Sequence, residues 1–101
     1  MRRTLIEYRR SDDETAILKQ ALDTYGAEAQ TLMMFEETAE LQKELCKHAR
    51  GADNRENIAE EIADVLIMLD QMIMLHDCRE AVEDYKVIKI NRLKAKLEDK
   101  T

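Results

Sequence analysis

The chain has 101 residues, of which 45% are hydrophobic and 38% are charged, with two glycines and no proline. This length predicts one domain, residues 1–101, and a composition dominated by helix formers predicts an all-α fold. The net charge of −6 excludes binding of nucleic acid through an overall positive field. No apolar run approaches the roughly 20 residues that cross a bilayer, so we expect a cytoplasmic protein with no membrane partner.

The first predicted helix follows an N-terminal arm, residues 1–11, and extends from about Asp12 to Ala29. It opens on the sequence SDDE, which fits a capping box with Ser11 as the N-cap and Glu14 three residues later. Gly26 lies inside this helix, where glycine is unfavourable, and therefore predicts a kink or a close approach to another backbone.

The second predicted helix extends from about Thr31 to Ala49. Arg50 and Gly51 follow it as a cationic last turn and a glycine stop, which are typical of a helix C-terminus. The sequence GADN then forms a short connection to the third helix, so we expect the second and third helices to be antiparallel neighbours.

The third and fourth helices are each predicted to open on a capping box, at Asp53 and at Asp77, and the fourth to end near Glu98. Between residues 65 and 75 the third helix has only two polar residues, Asp70 and Gln71, which predicts burial on more than one side. The expected fold is a compact antiparallel four-helix bundle. We expect a homo-oligomer, a dimer or a tetramer, to complete it.

Two acidic motifs lie on the predicted second and third helices. EETAELQKEL begins at Glu36, and EEIADVLIML begins at Glu60. Residues three apart share one face of a helix. The faces that point towards the neighbouring helix then carry four carboxylates, Glu37, Glu40, Glu61 and Asp64.

The hairpin geometry predicts which of these acids face each other. With the turn centred on GADN, Glu40 lies opposite Asp64, and Glu44 lies opposite Glu61. Glu37 is about 6 Å further along the second helix from the level of Asp64. The two acidic motifs are therefore predicted to lie at nearly the same level of the hairpin.

Carboxylates that converge beside a core repel one another and lose hydration, which raises their pKa values unless a cation neutralises them. A set of ligands made only of carboxylates suits Mg²⁺ or Mn²⁺ and not zinc. The alternative is a solvated ladder of surface charge, because 22 of the residues are acidic. Pattern alone leaves both interpretations open.

The two-part pattern EExxE and ExxD, with about twenty residues between them and a basic C-terminal helix, resembles the MazG-like all-α nucleoside triphosphate pyrophosphohydrolases. The resemblance extends from about Ala21 and includes YGAEAQ before the acids and KINRL in the last helix. It implies Mg²⁺ binding by the four carboxylates chosen above on geometry, which are Glu37, Glu40, Glu61 and Asp64.

The activity that this resemblance implies is hydrolysis of a nucleoside triphosphate between its α and β phosphates, which yields a monophosphate and pyrophosphate. Glu36 and Glu40 are both candidates to orient or deprotonate the attacking water. Basic residues of the last helix would meet the phosphates. Lys89 and Arg92 match the family best, Lys86 shares their spacing, and Asn91 departs from it.

The remaining alternatives concern the base pocket and the activity itself. Phe35 could border the base, although the chain lacks the aromatic-rich pocket of some relatives. Phosphoribosyl-ATP pyrophosphohydrolases share the architecture with another substrate. A catalytically silent helical bundle that acts as an interaction or regulatory subunit would use the apolar third helix as its contact surface.

Overall fold

The computed structural model describes residues 10–100, with side chains from residue 13 onward. Residues 1–9 of the predicted N-terminal arm lie outside this range. Within it there is no strand, and the four predicted helices are confirmed. Their bounds are α1, Arg10–Tyr25; α2, Ala27–Ala49; α3, Arg55–His76; and α4, Arg79–Asp99.

The first two helices meet at a single residue, Gly26. Its φ of 94° and ψ of 159° lie outside the helical region, so α1 ends at Tyr25 and α2 begins at Ala27. The predicted boundary near residues 29 to 31 is therefore wrong. The predicted capping box at Ser11 is also wrong, because α1 already includes Arg10, and the Ser11 side chain lies outside the described part.

The starts of α3 and α4 differ from the two predicted capping boxes. The N-caps are Asn54 and Cys78, and neither makes a side-chain capping hydrogen bond. Asp77 instead ends α3 with a φ of 48°, so this residue is not available to cap α4. The predicted end of α2 at Ala49 is confirmed.

The interior is formed mainly by α2 and α3, whose interface is the largest in the molecule, while α1 packs against both. Of the side chains that the structure describes, the buried hydrophobic ones are Leu18 and Met68. Three polar side chains are equally buried, which are Gln30, Glu44 and Gln71. The seam between α2 and α3 is therefore partly polar, although both helices carry apolar faces.

The last helix, α4, packs against α3 and touches neither α1 nor α2. Every described side chain from residue 83 to residue 100 is exposed, so the packing is looser than the predicted compact bundle. Large apolar side chains remain exposed on both helices, among them Ile62, Leu66, Ile67, Leu69, Val87, Ile90, Leu93 and Leu97. Across residues 10–100, no helix has the length and apolarity needed to cross a membrane.

Candidate metal site between the second and third helices

Two cross-helix contacts show which residues of α2 face α3. The Nε2 atom of Gln30 donates a hydrogen bond to Oε1 of Gln71 at 2.7 Å. Seven residues further along α2, Glu37 lies opposite Asp64. The predicted pairing of Glu40 with Asp64 is thus wrong by about one helical turn, although the connection between α2 and α3 does include GADN.

Three of the four predicted metal ligands come together at this level. Glu37 from α2 and Glu61 and Asp64 from α3 each offer a carboxylate oxygen, and these oxygens lie within 4.8 Å of one another. All three side chains are half-buried. We call these three residues the acidic cluster. Helical spacing explains two of its three members, since Glu61 and Asp64 are three residues apart on one face of α3.

The environment of Glu37 favours its protonated form. Burial raises the pKa of this carboxyl above its usual value, and the negative charges of Asp64 and Glu61 raise it further. A side-chain hydrogen bond between Glu37 and Asp64 acts in the same direction. A cation bound between these groups would remove the repulsion among their charges.

Glu61 is held in a similar environment. Burial raises the pKa of its carboxyl, followed by the charges of Asp64 and Glu40. One of its oxygens, Oε1, is buried and has no hydrogen-bond partner among the described residues. A buried carboxylate oxygen without a donor is unfavourable, and a bound cation is one way to satisfy it.

The donor set fits a hard divalent cation. All of its atoms are carboxylate oxygens, which Mg²⁺ and Mn²⁺ prefer, and there is neither nitrogen nor sulfur in the group. Magnesium bonds of 2.0–2.1 Å place neighbouring ligand oxygens about 2.9 Å apart in an octahedron. The oxygens of the acidic cluster lie within 4.8 Å of one another, so they would have to move closer together to bind one ion.

The other two acids of the first motif lie outside the acidic cluster. Glu36 is exposed. Glu40 is also exposed and pairs with Lys43, whose Nζ lies 4.0 Å from Oε1 of Glu40. The charge of Glu40 nevertheless contributes to the raised pKa values of both Glu37 and Glu61, so Glu40 borders the cluster.

Glu44 is held by a hydrogen bond and an ion pair to neighbouring residues, unlike the acids of the cluster. The Nδ2 atom of Asn54 donates to Oε1 of Glu44 at 2.7 Å and to the Glu44 carbonyl oxygen at 3.0 Å, and Lys47 lies 3.4 Å from Oε2. These contacts, the Asn54 hydrogen bond above all, lower the pKa of Glu44 although burial opposes them. Glu44 therefore ties α2 to the start of α3. Its charge still contributes to the raised pKa of Glu61, but less than the charge of Glu40, so the predicted pairing of Glu44 with Glu61 is also off by about one turn.

The predicted phosphate-binding residues lie on α4, away from α2. Lys86, Lys89, Asn91 and Arg92 are all exposed. Among the described residues, no cation of α4 is one of the charges that act on Glu37 or Glu61. Phe35 is also exposed, at 63%.

Two contacts in this region were not predicted from the sequence. The sequence held one indication of the buried amide pair Gln30 and Gln71, since Gln71 is a polar residue in the apolar half of α3. The link from Asn54 to Glu44 gave none, because it joins residues ten positions apart across a turn whose geometry spacing does not determine.

Comparison of the chain with protein-family models, with curated proteins and with solved structures found no match. The function must therefore be argued from the acidic cluster and from the motif that forms it.

Proposed function

We propose that this chain is a Mg²⁺-dependent nucleoside triphosphate pyrophosphohydrolase that cleaves between the α and β phosphates. The observation that carries the proposal is the acidic cluster, an oxygen-only set of three half-buried carboxylates from two helices. The Oε1 of Glu61 is buried from solvent and has no hydrogen-bond partner among the described residues, which supports a cation over a solvated charge ladder. The resemblance of the two acidic motifs to MazG-like enzymes supports the substrate class.

In this proposal Glu37, Glu61 and Asp64 hold the ion, and Mn²⁺ can replace Mg²⁺ because both prefer oxygen. A bound ion of this kind bridges phosphate oxygens, lowers the pKa of a coordinated water and offsets charge in an in-line displacement. Glu40 is the stronger candidate to orient or deprotonate the water, because its charge already acts on the cluster while Glu36 has no such link. A role for Glu40 as a fourth ligand stays a prediction.

A homo-oligomer is part of the proposal. Many large apolar side chains of α3 and α4 are exposed, and a second copy of the chain would cover them. The cations of α4 do not meet the acidic cluster within one chain. Phosphate binding by Lys89 and Arg92 therefore requires α4 to lie beside the nucleotide in the assembled protein.

The test is a panel of ribo- and deoxyribonucleoside triphosphates, with phosphoribosyl-ATP added, incubated with the protein and Mg²⁺. The products are scored for pyrophosphate against orthophosphate, and Asp64→Asn serves as the control that lacks one ligand. We expect pyrophosphate and a monophosphate from at least one nucleotide. Orthophosphate as the first product would contradict cleavage between the α and β phosphates, and no turnover of any compound would favour a catalytically silent helical subunit.

A further inference from the structure

A pair of buried amides joins α2 to α3. Gln30 donates to Gln71 at 2.7 Å, and the two side chains are 7% and 3% exposed. Neither amide can carry a charge or exchange a proton at neutral pH, and neither faces the solvent. We propose that Gln30 and Gln71 are positioning residues that fix the register of α2 against α3 and thereby bring Glu37 to Asp64. The register itself is independent of the proposed function, whereas its consequence for metal binding rests on that function.

The amide pair and the acidic cluster belong to one register. Glu37 is seven residues after Gln30 on α2, and Asp64 is seven residues before Gln71 on α3. Seven residues are almost two helical turns, so each acid lies on the same helix face as its amide and about 10.5 Å from it along the axis. Any shift that separates the amides therefore separates Glu37 from Asp64 by the same distance.

Charge alone does not select this register. A slip of one turn would place Glu40 opposite Asp64, which keeps four acids between the helices and is the pairing that the motif spacing predicts. In the slipped register Gln30 would face Met74 or Leu75, and Gln71 would face Met33 or Met34. Both amides would then be buried without a partner, which is unfavourable.

A buried amide pair selects one register because its two side chains can hydrogen-bond to each other only when they lie opposite each other on the two helices. Apolar side chains lack this property, since one methyl group packs against another in either register. A single buried polar contact is known to specify register in helical coiled coils, where shifted arrangements leave it unpaired. In the hairpin of α2 and α3, a shifted register would likewise leave Gln30 and Gln71 unpaired.

The neighbouring contact between α2 and α3, from Thr31 to Met72, does not distinguish one register from another. Thr31 lies next to Gln30, and its Oγ1 is 4.0 Å from the Met72 sulfur. That hydroxyl already donates to the Ala27 carbonyl at 2.8 Å within α2, so it is satisfied in either register. Thr31→Val is therefore the control, a change of a half-buried polar side chain one residue away.

The test variant is Gln30→Met/Gln71→Met, which removes both amides at once and keeps unbranched side chains of similar size. Its register is measured by electron–electron double resonance between spin labels on Cys46 and on a cysteine introduced by His76→Cys, with Cys78→Ala. Cys46 and His76 are both exposed and lie towards opposite ends of the hairpin. Labelled chains are diluted with unlabelled ones so that only distances within one chain are detected.

We expect one narrow distance in the otherwise unchanged chain and in Thr31→Val. In the double methionine variant we expect a second distance, shifted by about 6 Å, which is one turn of helix. A single unshifted distance in that variant would overturn the proposal. If the variant loses its helical circular dichroism, Gln71→Met alone is measured in the same way; loss of the helical fold there too would show that the pair holds the helices together and does not select their register.

The consequence for the site is measured separately as Mn²⁺ affinity, from the paramagnetic signal of the free ion and without spin labels. We expect affinity about 10-fold weaker in the double methionine variant, because its ligands are held at the wrong level in part of the molecules. A shifted register with unchanged Mn²⁺ affinity would overturn the positioning role. If the unmodified chain binds no Mn²⁺, the proposed function fails, while the distance measurement still decides the register.

Discussion

At the scale of single residues, Glu61 differs most from an ordinary surface acid. Its Oε1 is buried without a partner, and burial and neighbouring acids raise its pKa. Repulsion within the acidic cluster therefore destabilises the metal-free protein, and a bound cation would convert it into attraction. This difference between the metal-free and metal-bound states makes Glu61→Gln an informative substitution.

We expect Glu61→Gln to melt at or above the unmodified chain in chelator, because a neutral amide removes the repulsion. With Mg²⁺ the order should reverse, since the variant loses a ligand and with it most of the stability that metal binding adds to the native state. Release of pyrophosphate should fall at least about 100-fold. Melting temperatures with and without Mg²⁺, together with the nucleotide assay, measure both effects.

Glu56→Gln is the matched control for that substitution. It is the same change at an exposed position of α3 whose charge is not among those that act on Glu37 or Glu61. It should alter stability by no more than about 0.5 kcal/mol and leave the Mg²⁺ response unchanged. An undiminished Mg²⁺ shift and normal turnover in Glu61→Gln would remove Glu61 from the site.

Glu44 is a second acid with a shifted pKa, but its pKa is lowered where that of Glu61 is raised. The Asn54 hydrogen bond lowers its folded-state pKa below the usual 4.5, so the unfolded chain binds the proton more tightly. This contribution to stability is complete above pH 4.5 and is lost as the pH falls through the lowered pKa. Asn54→Ala should reduce this loss. Denaturant unfolding at a series of pH values from 6 downward measures the slope for both proteins.

The raised pKa values of Glu37 and Glu61 provide the contrast to Glu44. These groups bind protons more tightly in the folded state, so in chelator their contribution to stability is present below pH 4.5 and is lost as the pH rises through the raised values. The two effects occupy different pH ranges. An Asn54→Ala variant with the same acid-side slope as the unmodified chain would show that Asn54 does not set the pKa of Glu44.

At the scale of secondary structure, Gly26 separates α1 from α2. A Cβ atom at this position would meet nothing within 4 Å, so only the backbone conformation resists substitution. Its φ of 94° with ψ of 159° is a conformation that is nearly confined to glycine. Gly26→Ala should therefore lower the free energy of unfolding by about 1 to 3 kcal/mol, measured by urea denaturation. An increase in stability would mean that α1 and α2 can merge into one helix.

The basic residues of α4 provide a prediction about substrate and not about metal. Lys89→Ala and Arg92→Ala should each reduce nucleotide affinity or turnover about 10-fold or more, because a charged hydrogen bond to phosphate is lost. Mn²⁺ affinity should be unchanged, since neither cation is among the charges that act on Glu37 and Glu61. Steady-state kinetics and metal titration separate the two effects.

Lys94→Ala is the control for these variants, because Lys94 is equally exposed on α4 but points in a different direction from Lys89 and Arg92. If Lys89→Ala and Arg92→Ala both keep full activity, the phosphate contacts lie elsewhere in the chain, with Lys43 and Lys86 as the next candidates.

At the scale of the whole molecule, α4 is the least buried part of the described chain. Ile90, Leu93 and Leu97 share one face of this helix and are 60%, 51% and 57% exposed. We expect a dimer or a tetramer in light scattering at micromolar concentration, with Leu93→Asp reducing the measured mass. The reason is that a carboxylate at this position would be buried against the second copy without a partner.

Ala95→Asp is the matched control, since it introduces the same charge on nearly the opposite face of α4, at an exposed position. It should leave the mass of the assembly unchanged. A monomer in the unmodified chain at high micromolar concentration would contradict the proposed oligomer.

The sequence by itself determined the features that depend on neighbours in the chain. Helix formers, helical periodicity and the glycine at position 51 predicted four helices and the end of α2 at Ala49, and the structure confirms both. Spacing of three residues placed Glu61 and Asp64 on one face of α3, where they lie together. These are local properties, because a side chain's direction on a helix follows from its position alone.

The tertiary structure decided what depends on residues distant in sequence. It shifted the hairpin by one turn from the predicted pairing, so that Glu37 and not Glu40 meets Asp64, and it assigned Glu44 to Asn54. It also left α4 apart from α2, which spacing could not indicate. Helical periodicity repeats with every turn, so several registers satisfy the same pattern, and only contacts between the helices, such as Gln30 with Gln71, distinguish them.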